Sequence, residues 1–330
     1  MKSFLFLTLL IFVLYLVGFL KRIETIKWMD KNFTTAIKGF SILTVVWAHA
    51  GGRLGVGGIQ FIAGIGVALF LLCSGYGLEV SYERNGLMGF WKKRLFSVCL
   101  PFWLVELCGL LISGSFSLET YFLDFTFIKP ATSYGWFMGY IIICYLIFYV
   151  IKRFIADKKK QLILFIVSFI VWFVVESVFF ANPDMPFLRA RQMLSFPCGI
   201  ILAINRNKIE TIITKNSLLV FVWGGITCIL FMAITQMDIV KRLPYIVSNT
   251  MALLTCLPMA IGVVVFGKTF ISVFNNKALV VVGAISYEIY LVHAFTLDVV
   301  GNSAVKIMIF VVMTSVLAMI ANRMIRKIKV

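Results

Sequence analysis

The feature that most constrains this chain is a series of eleven apolar runs, most of them long enough to cross a lipid bilayer as a helix. Only short polar stretches separate these runs, so no separate soluble domain is expected. The runs lie at about residues 3–20, 36–52, 58–80, 96–114, 135–151, 161–180, 190–204, 217–236, 244–267, 278–299 and 303–322. The sequence therefore predicts an all-α polytopic transmembrane bundle of about 10–11 spanning helices.

Composition and charge support a membrane protein. Hydrophobic residues make up 61% of the chain, and the mean hydropathy is +1.00. A net charge of +17 would suggest nucleic-acid binding in a soluble protein, but here the cations lie in the loops, so no nucleic-acid partner is expected. Most Lys and Arg residues fall in alternate loops, which predicts an N-terminus outside and a C-terminus in the cytoplasm.

The first and the seventh run need separate interpretation, because the first could be mistaken for a signal peptide and the seventh is the weakest of the eleven. The run 3–20 lacks the small-residue cleavage site of a signal peptide, so we expect a retained helix. We divide the chain into an extra N-terminal helix with a cytoplasmic linker, residues 1–30, and a membrane domain, residues 31–330. The run 190–204 is short and contains Pro197, which predicts a broken or re-entrant segment. The seven cysteines have no C-x-x-C spacing, so neither disulfides nor a metal site is expected.

An ionisable pair in the second run is the main candidate for chemistry. Lys38 and His49 are eleven residues apart, which is about 20° past three helical turns and about 16 Å along the axis. They share one helix face, with Lys38 near the cytoplasmic end and His49 near mid-bilayer. An ionisable side chain at that depth is costly and indicates a functional site. A structural interhelical hydrogen bond is the competing interpretation.

The second histidine of the chain, His293, ends a polar stripe. Ser286, Tyr290 and His293 are spaced four and three residues apart, which places them on one helix face. An imidazole there could act as a base, an acid or a transient nucleophile. These three residues are candidates for orienting His49 or a bound substrate.

Three further features complete the candidate site. Ser74 lies among glycines in the third run, where a ligand or a second helix can approach closely. Lys93 and Arg94 belong to an aromatic-basic cluster that indicates phosphate binding, with topology signalling as the alternative. Trp136 opens the fifth run and is typical of an aromatic belt, but we include it among the substrate- or donor-binding candidates.

Taken in order, these motifs resemble acyltransferase family 3, the polytopic membrane acyltransferases that often O-acetylate bacterial surface polysaccharides. The resemblance covers about residues 33–320. It is carried by Lys-x10-His at 38–49, Phe-x-x-x-Ser-Gly-Tyr at 70–76, the aromatic-basic run 91–101, Trp-Phe at 136–137, Phe-Pro-x-Gly at 196–199 and Gly283 to His293. Four positions depart from the pattern. Lys38 stands where many members have Arg, and Ser97 stands where a second Arg is common. Ile141 and Ile142 stand where some members carry acidic residues after Trp-Phe.

The resemblance implies an enzyme of the bacterial cytoplasmic membrane that uses acetyl-CoA as acyl donor. Lys38 and the basic cluster would hold the donor, and His49 would act as general base or carry the acyl group briefly. The acceptor would be a hydroxyl group of a surface polysaccharide or its lipid-linked precursor. The sequence does not decide between this acceptor and a small metabolite, and assembly into a homo-oligomer stays open.

Other functions fit some of the same features. A transporter or flippase of lipid-linked sugars would also explain many helices with buried histidines. Another membrane acyltransferase family also uses an intramembrane histidine, but it pairs the histidine with an upstream Asn or Asp in an arrangement that this chain lacks. A structural scaffold is the weakest alternative, because both histidines fall in motif positions. Release of free CoA thiol from acetyl-CoA would distinguish an enzyme from a transporter.

Overall fold

The structure is a computed structural model that describes residues 1–23, 26–179, 189–213 and 216–328. The described residues are 82% helical and contain no strand. Each of the eleven expected runs forms helix, which confirms the all-α prediction. Residue 180, the last of the expected run 161–180, lies outside the described residues.

The main helices follow the apolar runs closely. They are α1 Lys2–Leu20, α2 Lys31–Arg53, α3 Gln60–Asn85, α4 Phe90–Ile112, α5 Trp136–Phe154, α6 Lys158–Phe179, α7 Ala190–Ile204, α8 Ser217–Gln236, α9 Tyr245–Thr269, α10 Lys277–Ala284, α11 Ser286–Thr296 and α12 Ala304–Ile328. Short helices at Leu118–Phe125, Arg206–Ile213, Asp238–Lys241 and Ile271–Phe274 lie between them.

Within the described residues, eight of these helices are long and apolar enough to cross a membrane, and the α10–α11 pair makes nine if it forms one span. The difference from about 10–11 lies in two helices. One is α2, which is 23 residues long but less apolar because it contains polar residues such as Lys38 and His49, and the other is α7, which is short. The short length of α7 agrees with the expectation of an incomplete segment at 190–204.

Two helices differ from their expected form. The run 278–299 was predicted as one span, but it bends by 72° between α10 and α11, at Ile285. The helix α4 begins at Phe90, before the expected start at 96, and passes through a π-helical turn at Leu95–Cys99. Pro101 has no N–H group, and the N–H of Leu100 bonds the carbonyl of Leu95 in the wider register.

Glycines let the central helices touch backbone to backbone. A Cβ on Gly39 would lie 2.0 Å from the carbonyl oxygen of Leu279, and one on Gly283 would lie 1.9 Å from that of Thr35. Helix α2 therefore crosses α10 at the closest range that backbones allow, which is how helices in lipid gain packing energy. Because α11 follows α10 directly, this crossing also fixes α11 beside α2.

Candidate active site

Helix α2 begins with an N-cap. The carboxylate of Asp30 accepts a 2.7 Å hydrogen bond from the backbone N–H of Phe33, and this cap sets where the helix starts. Lys38 follows in the second turn, and His49 lies near the other end of α2. The predicted separation of the two ionisable residues along one helix is therefore present.

The two histidines of the chain meet. Nδ1 of His49 lies 3.0 Å from Nε2 of His293, and the rings are nearly parallel with centroids 5.2 Å apart. His293 is fully buried, whereas His49 is half-buried. The stripe of Ser286, Tyr290 and His293 on α11 thus faces α2 through its last member.

A backbone carbonyl determines which histidine of this pair donates the hydrogen bond and which accepts it. Nδ1 of His293 bonds the carbonyl of Tyr290, which can only accept, so this nitrogen carries the proton. In neutral His293 the other nitrogen, Nε2, is then an acceptor. His49 must donate to it from Nδ1, which leaves Nε2 of His49 with an unshared lone pair. The arrangement gives His49 the tautomer that a base or a nucleophile needs.

Tyr134 is a site residue that the sequence analysis missed. Its ring stacks on His49 with centroids 4.2 Å apart, and its carbonyl accepts a hydrogen bond from the hydroxyl of Tyr290. Burial raises the pKa of the Tyr134 hydroxyl. Tyr134 lies in the loop before α5, and its only sequence signal is its position two residues before Trp136.

A cavity of about 310 Å³ lies between α2, α3, α4, α5 and α11. It contains two cationic side chains and several hydroxyl groups, and none of its described lining residues is acidic. Gly77 and Ser97 are exposed and mark its open side, whereas Ser286 and Tyr290 are buried and mark its closed side. The lining residues are Lys38, Val67, Phe70, Cys73, Ser74, Gly77, Leu78, Arg94, Ser97, Val98, Phe137, Ile141, Tyr145, Ser286, Tyr287 and Tyr290.

Arg94 is held in the wall of this cavity by two aromatic rings. Its guanidinium carbon lies 5.2 Å from the ring centroids of both Phe90 and Tyr145. Its Nε is buried, and no acceptor among the described residues bonds it. A buried donor without an acceptor is costly and is well placed for an anionic ligand. Ser97 lines the same wall, in the π-helical turn.

Seven of the nine predicted site residues fall into two groups. Five of them line the cavity: Lys38, Ser74, Arg94, Ser286 and Tyr290. The histidines lie outside its lining, and Tyr290 connects the two groups because it borders the cavity and contacts both Tyr134 and His293.

The other two predicted residues lie outside the cavity. Lys93 lines a void of about 10 Å³ that it shares with Arg94. Trp136 packs against Phe137 and Tyr140 and borders another void of about 10 Å³. Trp136 is thus one helix position away from the cavity wall, which Phe137 forms. Across the described part of the chain, no group of three or more His, Cys, Asp or Glu residues could hold a metal ion.

Comparison with known protein families finds a match over most of the chain. The family model of an acyltransferase domain, Acyl_transf_3, matches residues 26–322 of the 330-residue chain. The match begins after α1 and covers every residue of the cavity and of the histidine pair. In the same comparisons, no curated protein and no solved structure matches the chain.

Proposed function

Because the chain belongs to acyltransferase family 3, and is therefore a membrane acyltransferase, we propose that it transfers an acetyl group from acetyl-CoA to a hydroxyl group of a cell-surface polysaccharide or its lipid-linked precursor. The proposed location is the bacterial cytoplasmic membrane, with the open side of the cavity facing the cytoplasm. The observation that carries the proposal is the lone pair that the His293 contact leaves on Nε2 of His49.

The cavity suits the donor. The nucleotide end of acetyl-CoA is polyanionic and is attracted by cations at a narrow mouth. Arg94 offers a planar set of donors that matches phosphate geometry, and Lys38, which lines the same cavity from α2, adds a point charge. The pantetheine arm is long enough to carry the thioester toward Tyr290 and the histidines beyond it.

The chemical step follows from the tautomer of His49. Nε2 of His49 takes the proton of the acceptor hydroxyl as its oxygen attacks the thioester carbonyl carbon. The new C–O bond forms, the C–S bond breaks, and the imidazolium returns the proton to the CoA thiolate. The products are the acetyl ester and free CoA, with no net proton change. His293 stabilises the imidazolium through the Nδ1 contact and keeps the ring in place.

The donor and the acceptor reach His49 from different sides of the molecule. Donor and thioester occupy the cavity between Lys38 and Tyr290. The acceptor approaches His49 from the C-terminal end of α2, where Arg53 and Asp298 form an exposed ion pair of 2.7 Å. This division lets a cytoplasmic donor meet an acceptor on the opposite side of the membrane.

The direct test uses protein purified in detergent. Wild-type protein with acetyl-CoA and an acceptor glycan should release free CoA thiol and form an O-acetyl ester visible by NMR. His49→Ala should lose this activity by about 10²- to 10⁴-fold, the typical contribution of a general base. Its melting temperature in detergent serves as the folding control.

Two outcomes would contradict the proposal. If His49→Ala retained wild-type activity, His49 could not be the base. If the wild-type protein consumed no acetyl-CoA but moved a lipid-linked sugar across vesicle membranes, the transporter alternative would replace the enzyme.

Comparison of surface glycans from cells with and without the gene identifies the natural acceptor.

A further inference from the structure

We propose that helix α1, which precedes the matched residues 26–322, is a positioning element of the active site and not only a membrane anchor. The inference rests on the proposed function, because it assigns α1 the task of holding His49 for the transfer step. It is carried by contacts that α1 makes on both sides of His49 along α2.

The first contacts involve the residues that flank His49. The indole N–H of Trp47 donates a 2.9 Å hydrogen bond to Oγ1 of Thr8 on α1. The rings of Phe4 and Trp47 have centroids 4.8 Å apart. A Cβ on Gly51 would lie 2.7 Å from the Phe4 ring, so α1 fits closely against this end of α2. Helix α1 therefore touches α2 two residues before and two residues after His49.

A buried cluster extends this support to the ring that stacks on His49. Leu7 is 1% exposed and packs with Ala50, Leu297, Ile307 and Phe310. Ala50 is the neighbour of His49 in the chain, and Tyr134 packs against the same cluster. Leu7 thus belongs to the same apolar cluster as the chain neighbour of His49 and the ring of Tyr134.

The C-terminal half of α1 is also held by hydrogen bonds and close packing. The hydroxyl of Tyr15 donates to the carbonyl of Val273 at 3.0 Å, and the side-chain amide of Asn276 donates to the carbonyl of Tyr15 at 2.8 Å. A Cβ on Gly18 would lie 2.4 Å from that of Ala278. These contacts fix the height and rotation of α1, which a helix serving only as an anchor does not need.

The consequence is a specific effect on the transfer step. A shift of about 1 Å in a catalytic group can cost about 10²-fold in rate, so a partial loss of support should lower kcat by about tenfold. Donor binding should be unaffected, because no α1 residue belongs to the described lining of the cavity. The expected signature is a lower kcat with an unchanged KM for acetyl-CoA.

Two matched pairs of variants of the full chain test the proposal. Leu7→Ala removes a buried contact, whereas Leu9→Ala makes the same change at a side chain that is 55% exposed. Thr8→Val removes the acceptor of the Trp47 bond, whereas Thr8→Ser keeps it. We expect Leu7→Ala and Thr8→Val to lower kcat, and Leu9→Ala and Thr8→Ser to retain it.

A readout that does not require activity keeps this test separate from the proposed function. Diethyl pyrocarbonate modifies accessible imidazoles, and the chain has only two histidines, of which His293 is fully buried. The rate of His49 modification, followed by mass spectrometry, should change severalfold in Leu7→Ala and stay at the wild-type value in Leu9→Ala.

The outcomes are distinguishable. Equal kcat and equal labelling rates within both pairs would overturn the positioning role of α1. A wild-type protein without acyltransfer would overturn the proposed function, while the labelling rates would still decide whether α1 holds His49. If Leu7→Ala fails to fold in detergent, the Thr8 pair decides the question.

Discussion

Nδ1 of His49 lies 3.0 Å from Nε2 of His293, although 244 positions separate the two residues in the chain. The contact has a direction, because the carbonyl of Tyr290 fixes the proton on the far nitrogen of His293. One backbone oxygen on α11 thereby decides which nitrogen of His49 is available for chemistry on α2. The carbonyl belongs to a residue that also lines the proposed donor cavity.

The first prediction concerns the acceptor that His293 offers to His49. His293→Leu should lower kcat by about 10²- to 10⁴-fold, because His49 loses the partner that fixes its tautomer. His293→Gln should retain part of the activity, since its side-chain carbonyl can still accept from Nδ1. Steady-state kinetics with acetyl-CoA measure both variants. Wild-type kcat in His293→Leu would show that the contact is structural only.

The second prediction concerns Arg94 as the ligand of the donor phosphates. Arg94→Lys keeps the positive charge but loses the planar donor set and the stacking on Phe90 and Tyr145. We expect the KM for acetyl-CoA to rise about tenfold, the value of one charge-assisted hydrogen bond, with little change in kcat. Lys92→Ala is the control, because Lys92 is exposed and lies outside the described lining. Equal KM values in both variants would contradict the assignment.

The third prediction is a pH dependence at Asp124, in the short helix Leu118–Phe125. Asp124 is 1% exposed, and one carboxyl oxygen accepts from the N–H of Ala131 at 2.9 Å while the other, Oδ2, has no partner among the described residues. Burial raises the pKa of this carboxyl from 3.8 to about 6. The neutral form therefore stabilises the fold below about pH 4, and this contribution is lost as the pH rises through about 6.

Asp124→Asn tests that dependence. The amide keeps the acceptor for Ala131 without the charge, so the variant should melt higher than the wild type at pH 7.5 and about the same at pH 4. Thermal unfolding in detergent across this range measures the difference. If the difference in melting temperature between Asp124→Asn and the wild type did not change with pH, titration of Asp124 would be ruled out as its cause.

The fourth prediction concerns a buried ion pair between α3 and α5. The ammonium group of Lys152 donates 2.7 Å hydrogen bonds to Glu79 and to Gln161, and the side chains of the ion pair are 1% and 5% exposed. Lys152→Met should destabilise the protein by about 3–5 kcal/mol, because Glu79 is left buried without its cation. The double variant Lys152→Met/Glu79→Gln should recover most of the loss.

Unfolding in detergent provides the measurement for this pair, and the double variant is its own control. A double variant as unstable as Lys152→Met would mean that lost packing, and not the uncompensated carboxylate, causes the effect. Acyltransfer activity is a second control. It should be retained in the folded variants, because Lys152 and Glu79 are not among the described lining residues of the cavity and take no part in the contact between His49 and His293.

The helices were predictable from the sequence because the bilayer acts on each segment separately. Hydropathy and length decide whether a run becomes a helix in lipid, and every predicted run is helical in the described part of the chain. The stripe of Ser286, Tyr290 and His293 was predictable too, because helical periodicity is a local property. The same local pattern did not reveal the 72° bend between α10 and α11, which interrupts an apolar run without changing its composition.

The site itself depended on how the helices dock. The sequence by itself determined the membrane bundle, the family motifs and the face that carries Lys38 and His49. Only the tertiary structure placed His293 against His49, put the ring of Tyr134 over it, and joined this group through Tyr290 to the cavity that Lys38 lines. These contacts arise from close packing between helices and loops distant in the chain, and hydropathy carries no information about which side chains then meet.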